Sequence, residues 1–289
     1  MRRTLSRTWM VLLEAYQGFN RHGGSTMAAA VSLYALLSLT PIVLLALTVL
    51  GRLLGAQEAQ AKIIGLITSA IPAPSDRLIA AVQSLSLDAK SPFVYVVGIG
   101  GLLWSATTLP AGMSLFLTIS WIGRPQRGLV WRRFVALLII TVAGVLSLLS
   151  VALSAGAAAI AGNPQRFGFL SRAVRVVGPP LGGFVSLLFL ILTLFMLYRF
   201  LPATRVLSRA ALLGAGVGAM LLHVLRIAFT ALVVESARYG RIYGPLAGVV
   251  ILLLWVYYSA TILLASAEIA AAYQRRHESG WTSEQPSRR

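Results

Sequence analysis

Uncharged apolar runs of about 20 residues or more recur along this chain, and no other feature of the sequence constrains its fold as tightly. Such a run leaves no polar face for water, and in hydrocarbon its backbone amides must bond within their own segment. Each run therefore reads as a membrane-spanning helix. Strands of a membrane barrel alternate apolar and polar over about ten residues, a pattern these runs do not follow. The expected fold class is all-α: a polytopic membrane protein of six transmembrane helices, with an N-terminal amphipathic helix and short amphipathic helices between spans one and two.

The spans are expected at about 27–50, 92–122, 131–161, 180–200, 207–234 and 243–273, separated by short loops rich in Arg, Gly and Pro. Before them, residues 1–26 carry Leu5, Trp9, Leu12, Leu13, Tyr16 and Phe19 at helical intervals, with Arg3, Arg7 and Glu14 elsewhere. That pattern predicts a helix lying on the cytoplasmic membrane surface. About 23 mostly polar residues precede the first span and no small-residue cleavage site follows it, so the span is expected to be retained. Residues 51–91 hold Ile63, Ile64 and Ile67, then Leu78, Ile79, Val82 and Leu85. They predict two amphipathic helices, split by Ile71-Pro72-Ala73-Pro74 and resting on the periplasmic face, too short to build a core of their own. Residues 274–289 are expected to be a disordered cytoplasmic tail.

Charged residues make up only 11% of the chain, against about 25% in soluble domains. The charges are unbalanced as well: 25 basic side chains, all but two of them Arg, face 8 acidic ones, for a formal charge of +17. Six spans put both termini on one side. The segments joined to that side carry 15 basic residues, those on the other side 9, and Arg226 lies within a span. By the positive-inside rule both termini are cytoplasmic, and the arginines are explained as topology determinants beside anionic lipid headgroups, with no nucleic acid expected. Cysteine is absent, which removes disulfides, thiolate metal sites and a Cys nucleophile together.

Ionisable and polar groups inside lipid are expensive, so those within spans are the first candidates for a site. Tyr257, Thr261 and Glu268 are four and seven residues apart and share a face of span six. A stripe of that kind serves either as a substrate, ion or proton site or as a buried ion pair or helix cap with an arginine near the cytoplasmic interface. His223 and Arg226, three apart on span five, would present positive charge to Glu235, Glu268 or a lipid phosphate; His223 alone reads as a hydrogen-bonded packing residue. Pro41 removes the amide that would bond the carbonyl of Leu37 and is expected to interrupt span one, whether as a simple kink or as a site of exposed backbone. Small residues, Ala28, Ser32 and Ala35 on span one and Gly214, Ala215, Gly218 and Ala219 on span five, are packing signals.

Enzyme signatures are missing. A metal-dependent hydrolase needs several His, Asp or Glu converging on an ion, yet the only His are His22, His223 and His277 and the only Asp are Asp76 and Asp88. No Gly-x-Ser-x-Gly elbow and no Gly-x4-Gly-Lys phosphate loop occurs. No cofactor or metal is expected.

Three motifs carry a family resemblance. Ala28-Ala29-Ala30 with Tyr34-Ala35-Leu36-Leu37-Ser38-Leu39 and Pro41 resembles the opening motif of the YihY/virulence factor BrkB family. Tyr198-Arg199-Phe200-Leu201-Pro202 is similar to that family's Tyr-Arg-x-x-Pro, and Tyr243-Gly244-Pro245-Leu246 through Trp255, Tyr257, Ser259 and Glu268 looks like its last span. In this order the motifs cover nearly all of the chain. Leu33, Gly240 and Ser266 depart from the residues common in the family, and His223 and Arg226 match none of its motif positions. The resemblance implies a bacterial inner-membrane protein, linked in some members to serum resistance or envelope lipid processes; the family's former label, ribonuclease BN, is widely regarded as a misassignment.

The leading expectation is a transporter or lipid translocase acting in envelope homeostasis. Spans one, five and six would line a cavity holding Tyr34, Ser38, Pro41, His223, Arg226, Tyr257, Thr261 and Glu268, with Tyr198, Arg199, Pro202, Tyr243 and Gly244 in structural roles. The alternative is a non-transporting scaffold that recruits envelope-assembly proteins. A homo-oligomer is compatible with either, and a tRNA-processing ribonuclease is the reading the composition disfavours.

Overall fold

The computed structural model describes residues 2–70, 96, 100, 113, 116–121, 129–162, 164–202, 204–234 and 247–282. Among them are seven helices: α1 Arg2–Arg21, α2 Gly24–Leu54, α3 Ala56–Ala70, α4 Leu129–Gly162, α5 Pro164–Phe200, α6 Ser208–Val234 and α7 Ala247–Thr282. The fold is all-α and membrane-integral. Leu181–Phe200, Ser208–Ala231 and Val249–Glu278 are each long and apolar enough to cross a bilayer. Most of span two, the second amphipathic stretch at 78–85, and Glu235, Tyr243 and Gly244 lie outside the described residues.

Three expectations need correction. Pro41 does not interrupt the first span, because α2 is continuous from Gly24 to Leu54. Proline's fixed φ is helical, and the loss of one amide bond does not end a helix of 31 residues. The connection expected between 161 and 180 is largely helix, since α5 begins at Pro164 and departs from helical geometry only at Gly168, with φ 44°. Arginine counted there as a loop signal, although it is a good helix former. The third correction is at the carboxyl end: 274–282 are not a disordered tail but the last turns of α7. Gln274, Arg275, Arg276 and Glu278 are tied down by the contacts described below.

The chain forms two compact units, one of Met1–Tyr16, Leu117–Ala219 and Ser266–Arg289, the other of Gln17–Phe116 and Met220–Ala265. In the second unit α2 turns into α3 at Gly55, whose φ of 92° suits glycine, and Val43 and Leu47 pack on Ile63. The amphipathic helix α3 thus buries its apolar face against α2. In the same unit Phe19 and His22 set their rings edge-on to Phe116, and Phe229 meets Trp255 at 5.2 Å between centroids.

The first unit is held by small residues. Ala211, Ala215 and Ala219 of α6 and Ala267, Ala270 and Ala271 of α7 are fully buried. A Cβ built on Gly214 would lie 2.8 Å from the Cβ of Ala270 and 3.0 Å from the Ser266 carbonyl oxygen, and one on Gly218 would lie 2.8 Å from Ser266 Oγ. The glycines let the two backbones approach so closely that no side chain fits between them, the arrangement expected where helices in lipid gain from packing more than from hydrophobic exclusion.

Candidate functional site

The close packing of α6 on α7 carries the last four turns of α7 into a setting where its polar side chains reach other segments. Glu268 is fully buried. Ser120, in the helical stretch 116–120, donates its hydroxyl to Glu268 Oε1 at 2.6 Å. Two turns further along α7, Arg275 brings Nη2 to 3.9 Å from Glu268 Oε2 and donates from Nη1 to the Ser120 carbonyl. Arg275 Nε also donates to Glu14 Oε1 at 2.9 Å, and Arg276 Nε to Glu14 Oε2 at 2.7 Å. Glu268, Arg275, Glu14 and Arg276 thus alternate in sign and sum to zero. That balance explains how a carboxylate can sit fully buried on a membrane helix, because a buried charge is tolerated when it is paired and hydrogen-bonded.

Gln274 forms a second knot beside the first. Its Oε1 accepts from Trp121 Nε1 at 3.0 Å and from the Leu207 amide at 2.9 Å, while Nε2 donates to the Arg205 carbonyl at 3.2 Å and to Glu278 Oε1 at 2.9 Å. All four hydrogen-bonding positions of the amide are used. One buried side chain therefore fixes the backbone at Arg205 and Leu207, residue 121 and the end of α7 together. Tyr198 of α5 completes the set, its hydroxyl 2.7 Å from Ser266 Oγ.

Glu14 joins the amphipathic helix to this cluster. Partial burial pushes its carboxyl up, but the hydrogen bonds and charges of Arg275 and Arg276 outweigh burial and hold it below the ordinary carboxylate value of 4.5. Trp9, Met10, Leu12, Leu13 and Tyr16 remain exposed on α1. The helix offers an apolar surface suited to the lipid interface while Glu14 ties it to α7.

Of the residues singled out from sequence, Glu268, Tyr198, Arg199 and Pro202 lie in the first unit, Glu268 with the arginine partner foreseen as one of its two roles. Tyr34, Ser38, Pro41, His223, Arg226, Tyr257 and Thr261 lie in the second. Ser38 donates to the Ala35 carbonyl and Thr261 to the Tyr257 carbonyl, each at 2.8 Å within its own helix. His223 and Arg226 are exposed on α6. Arg226 lies within α6, and the residues that follow it in the helix, Ile227 to Val234, carry no charge. Glu14, Ser120, Trp121, Gln274 and Arg275 were not foreseen as site residues. Arg275 follows Glu268 by seven residues, on the same helix face of an alanine-rich stretch, and was readable; Ser120 and Trp121 are distant in sequence and carry no local signal.

A family model described as virulence factor BrkB matches residues 15–289. The chain is 28% identical over 292 residues to a UPF0761 membrane protein of Chromohalobacter salexigens, covering 96% of this chain and 67% of the relative. It is 26% identical to a UPF0761 membrane protein of Pseudoalteromonas atlantica, covering 91% and 87%, and 31% identical to one of Yersinia pestis strain Pestoides F, covering 68% and 67%. No solved structure matches the chain.

Proposed function

Because the chain belongs to the virulence factor BrkB family of membrane proteins, we propose that it is an inner-membrane transporter or lipid translocase, with six spans, both termini cytoplasmic and anionic lipid headgroups among its partners. On this reading the Glu268 cluster is the cytoplasmic gate. The observation that carries it is the fully buried Glu268 carboxylate on a membrane helix, charge-linked through Arg275 to an amphipathic helix whose apolar face is exposed. A change of charge at Glu268 would leave the cluster at +1 and loosen the hold of α7 on Glu14. An element with two electrostatically distinct arrangements is what a gate requires. The reading assigns no catalytic residue and no cofactor.

Vesicles containing the full chain and a fluorescent anionic phospholipid test it. The protein should speed movement of the lipid between leaflets, and Glu268→Gln, which keeps an acceptor for Ser120, should slow it about tenfold, the equivalent of one charge-assisted contact. Movement no faster than in protein-free vesicles overturns the reading. Should a stoichiometric envelope-assembly protein then co-purify, the scaffold reading takes its place.

A further inference from the structure

A cavity of about 1120 Å³ opens between α4 and α5, along residues 149–161 of the first and 173–186 of the second. Its described walls are Leu, Ile, Val, Ala and Gly apart from Arg175 and Ser186. The size reaches the upper end of small-molecule sites, which run from roughly 300 to 1,000 Å³. Gly156 and Gly183 line it, and a Cβ added at either would meet nothing within 4 Å. Glycine inside a helix is less favourable than alanine. Unlike Gly214 and Gly218, these two are not required by a neighbouring backbone; what they preserve is open volume.

Among the described residues Arg175 is the one charge on the wall. Its Nη2 donates to the Ala161 carbonyl at 2.9 Å, which steadies the guanidinium beside the α4 to α5 turn. Arg175 and Arg199 bound an uncharged stretch of α5, residues 176–198, whose rise of about 35 Å compares with roughly 30 Å of hydrocarbon, so that Arg175 stands at the edge of the apolar layer, at headgroup depth. From Arg175 to Ser186 the cleft runs about 16 Å along α5, from that level through the hydrocarbon of one leaflet. A cation at phosphate level above an apolar trough matches the order of groups in one phospholipid: phosphate, glycerol, first acyl methylenes. A guanidinium presents five N–H donors in a fork suited to phosphate oxygens.

We propose that this cleft is a binding site for an anionic phospholipid, its phosphate on Arg175 and one acyl chain between α4 and α5. The assignment of the cleft to the periplasmic leaflet rests on the six-span reading above; the site itself rests on the geometry of α4 and α5.

The test uses the full chain in phosphatidylcholine vesicles carrying a phosphatidylglycerol probe with a photoreactive diazirine in the upper half of one acyl chain. Labelling should concentrate on 149–160 and 181–186. Arg175→Gln should lower labelling by this probe about fivefold while leaving labelling by a phosphatidylcholine probe unchanged. Gly183→Leu or Gly156→Leu, each of which starts its side chain from a Cβ in open space on the cleft wall, should abolish labelling by both. Labelling spread evenly over all lipid-facing helices, or undiminished when both glycines are replaced, overturns the proposal. So does labelling that falls as the protein-to-lipid ratio rises, which would mean that a second copy covers the cleft. Because the readout is binding, lipid captured here without being moved would count against transport and leave the site standing.

Discussion

The two halves of α7 treat their polar side chains in opposite ways. In the first half, Ser259 donates to the Trp255 carbonyl at 2.7 Å and Thr261 to the Tyr257 carbonyl at 2.8 Å, so both hydroxyls are satisfied by the helix that carries them. In the second half, Ser266 meets Tyr198, Glu268 meets Ser120, Gln274 meets four partners and Arg275 reaches Glu14. Both halves show polar residues in an apolar background. A hydroxyl can return to the carbonyl one turn back and leave nothing for another segment to do. A carboxylate, a carboxamide and a guanidinium cannot satisfy themselves that way, so their presence obliges other segments to approach.

This contrast is tested most strongly by Glu268→Leu against Thr261→Val. The first removes one partner of a buried, paired charge and leaves the Ser120 hydroxyl without its acceptor, a loss of about 3 kcal/mol. The second removes a hydroxyl satisfied within its own turn and should move stability by about 0.5 kcal/mol or less. Unfolding midpoints of the purified protein in detergent would show the difference. Equal effects would mean that self-satisfied and outward-reaching polar groups are energetically alike here.

Gly214→Val probes the packing that brings the second half of α7 into place. Its side chain would collide with Ala270 and with the backbone at Ser266, neither of which can yield as a flexible side-chain end could. Overpacking of this kind costs about 2 kcal/mol. Gly183→Val, in open space, should be neutral or slightly stabilising, because it replaces a helical glycine. If the two variants melt together, close approach of α6 to α7 is not what holds the site.

How much of this was legible in the sequence follows from range. Helix positions could be read because hydropathy and periodicity are local, and the expected 207–234 agrees closely with Ser208–Val234. The small-residue face of span five was legible for the same reason, as was Glu268, whose charge stands out in an apolar run. The site around it was not. Glu14 looked like the solvent side of a surface helix because nothing within α1 indicates that residue 275 lies opposite. Ser120 and Trp121 are an ordinary serine and tryptophan until Glu268 and Gln274 meet them, across 148 and 153 residues of chain. The helical end of α7 was missed for a related reason: its polar composition resembles a tail, and only its distant hydrogen bonds order it.

Tyr198→Phe gives a smaller effect of the same kind. It removes the hydroxyl 2.7 Å from Ser266 Oγ while keeping the ring that fills the core. The expected loss is about 1 kcal/mol, one net hydrogen bond in a buried site. Tyr198→Phe combined with Ser266→Ala should cost less than the sum of the single changes, because the second removes a partner already lost. Strict additivity in that cycle would show that the two hydroxyls are not coupled.

The smallest effect concerns Glu14, where the charged cluster meets water. Its carboxyl titrates lower in the folded protein than in the unfolded chain because the two arginines favour the charged form. A depressed folded value contributes stability that is fully present above the ordinary carboxylate value and is lost as pH falls through the lowered one. The group is partly exposed and water screens the pair, so the contribution is about 0.5 kcal/mol. The wild-type chain should therefore lose slightly more stability between pH 6 and strongly acid solution than Glu14→Gln, which has no charge to lose at that position. The two profiles should converge at the acid end, where protonation removes the charge of Glu14 as well. Parallel profiles, with a constant offset at every pH, would show that the arginines hold α1 through geometry alone and draw nothing from the charge of Glu14.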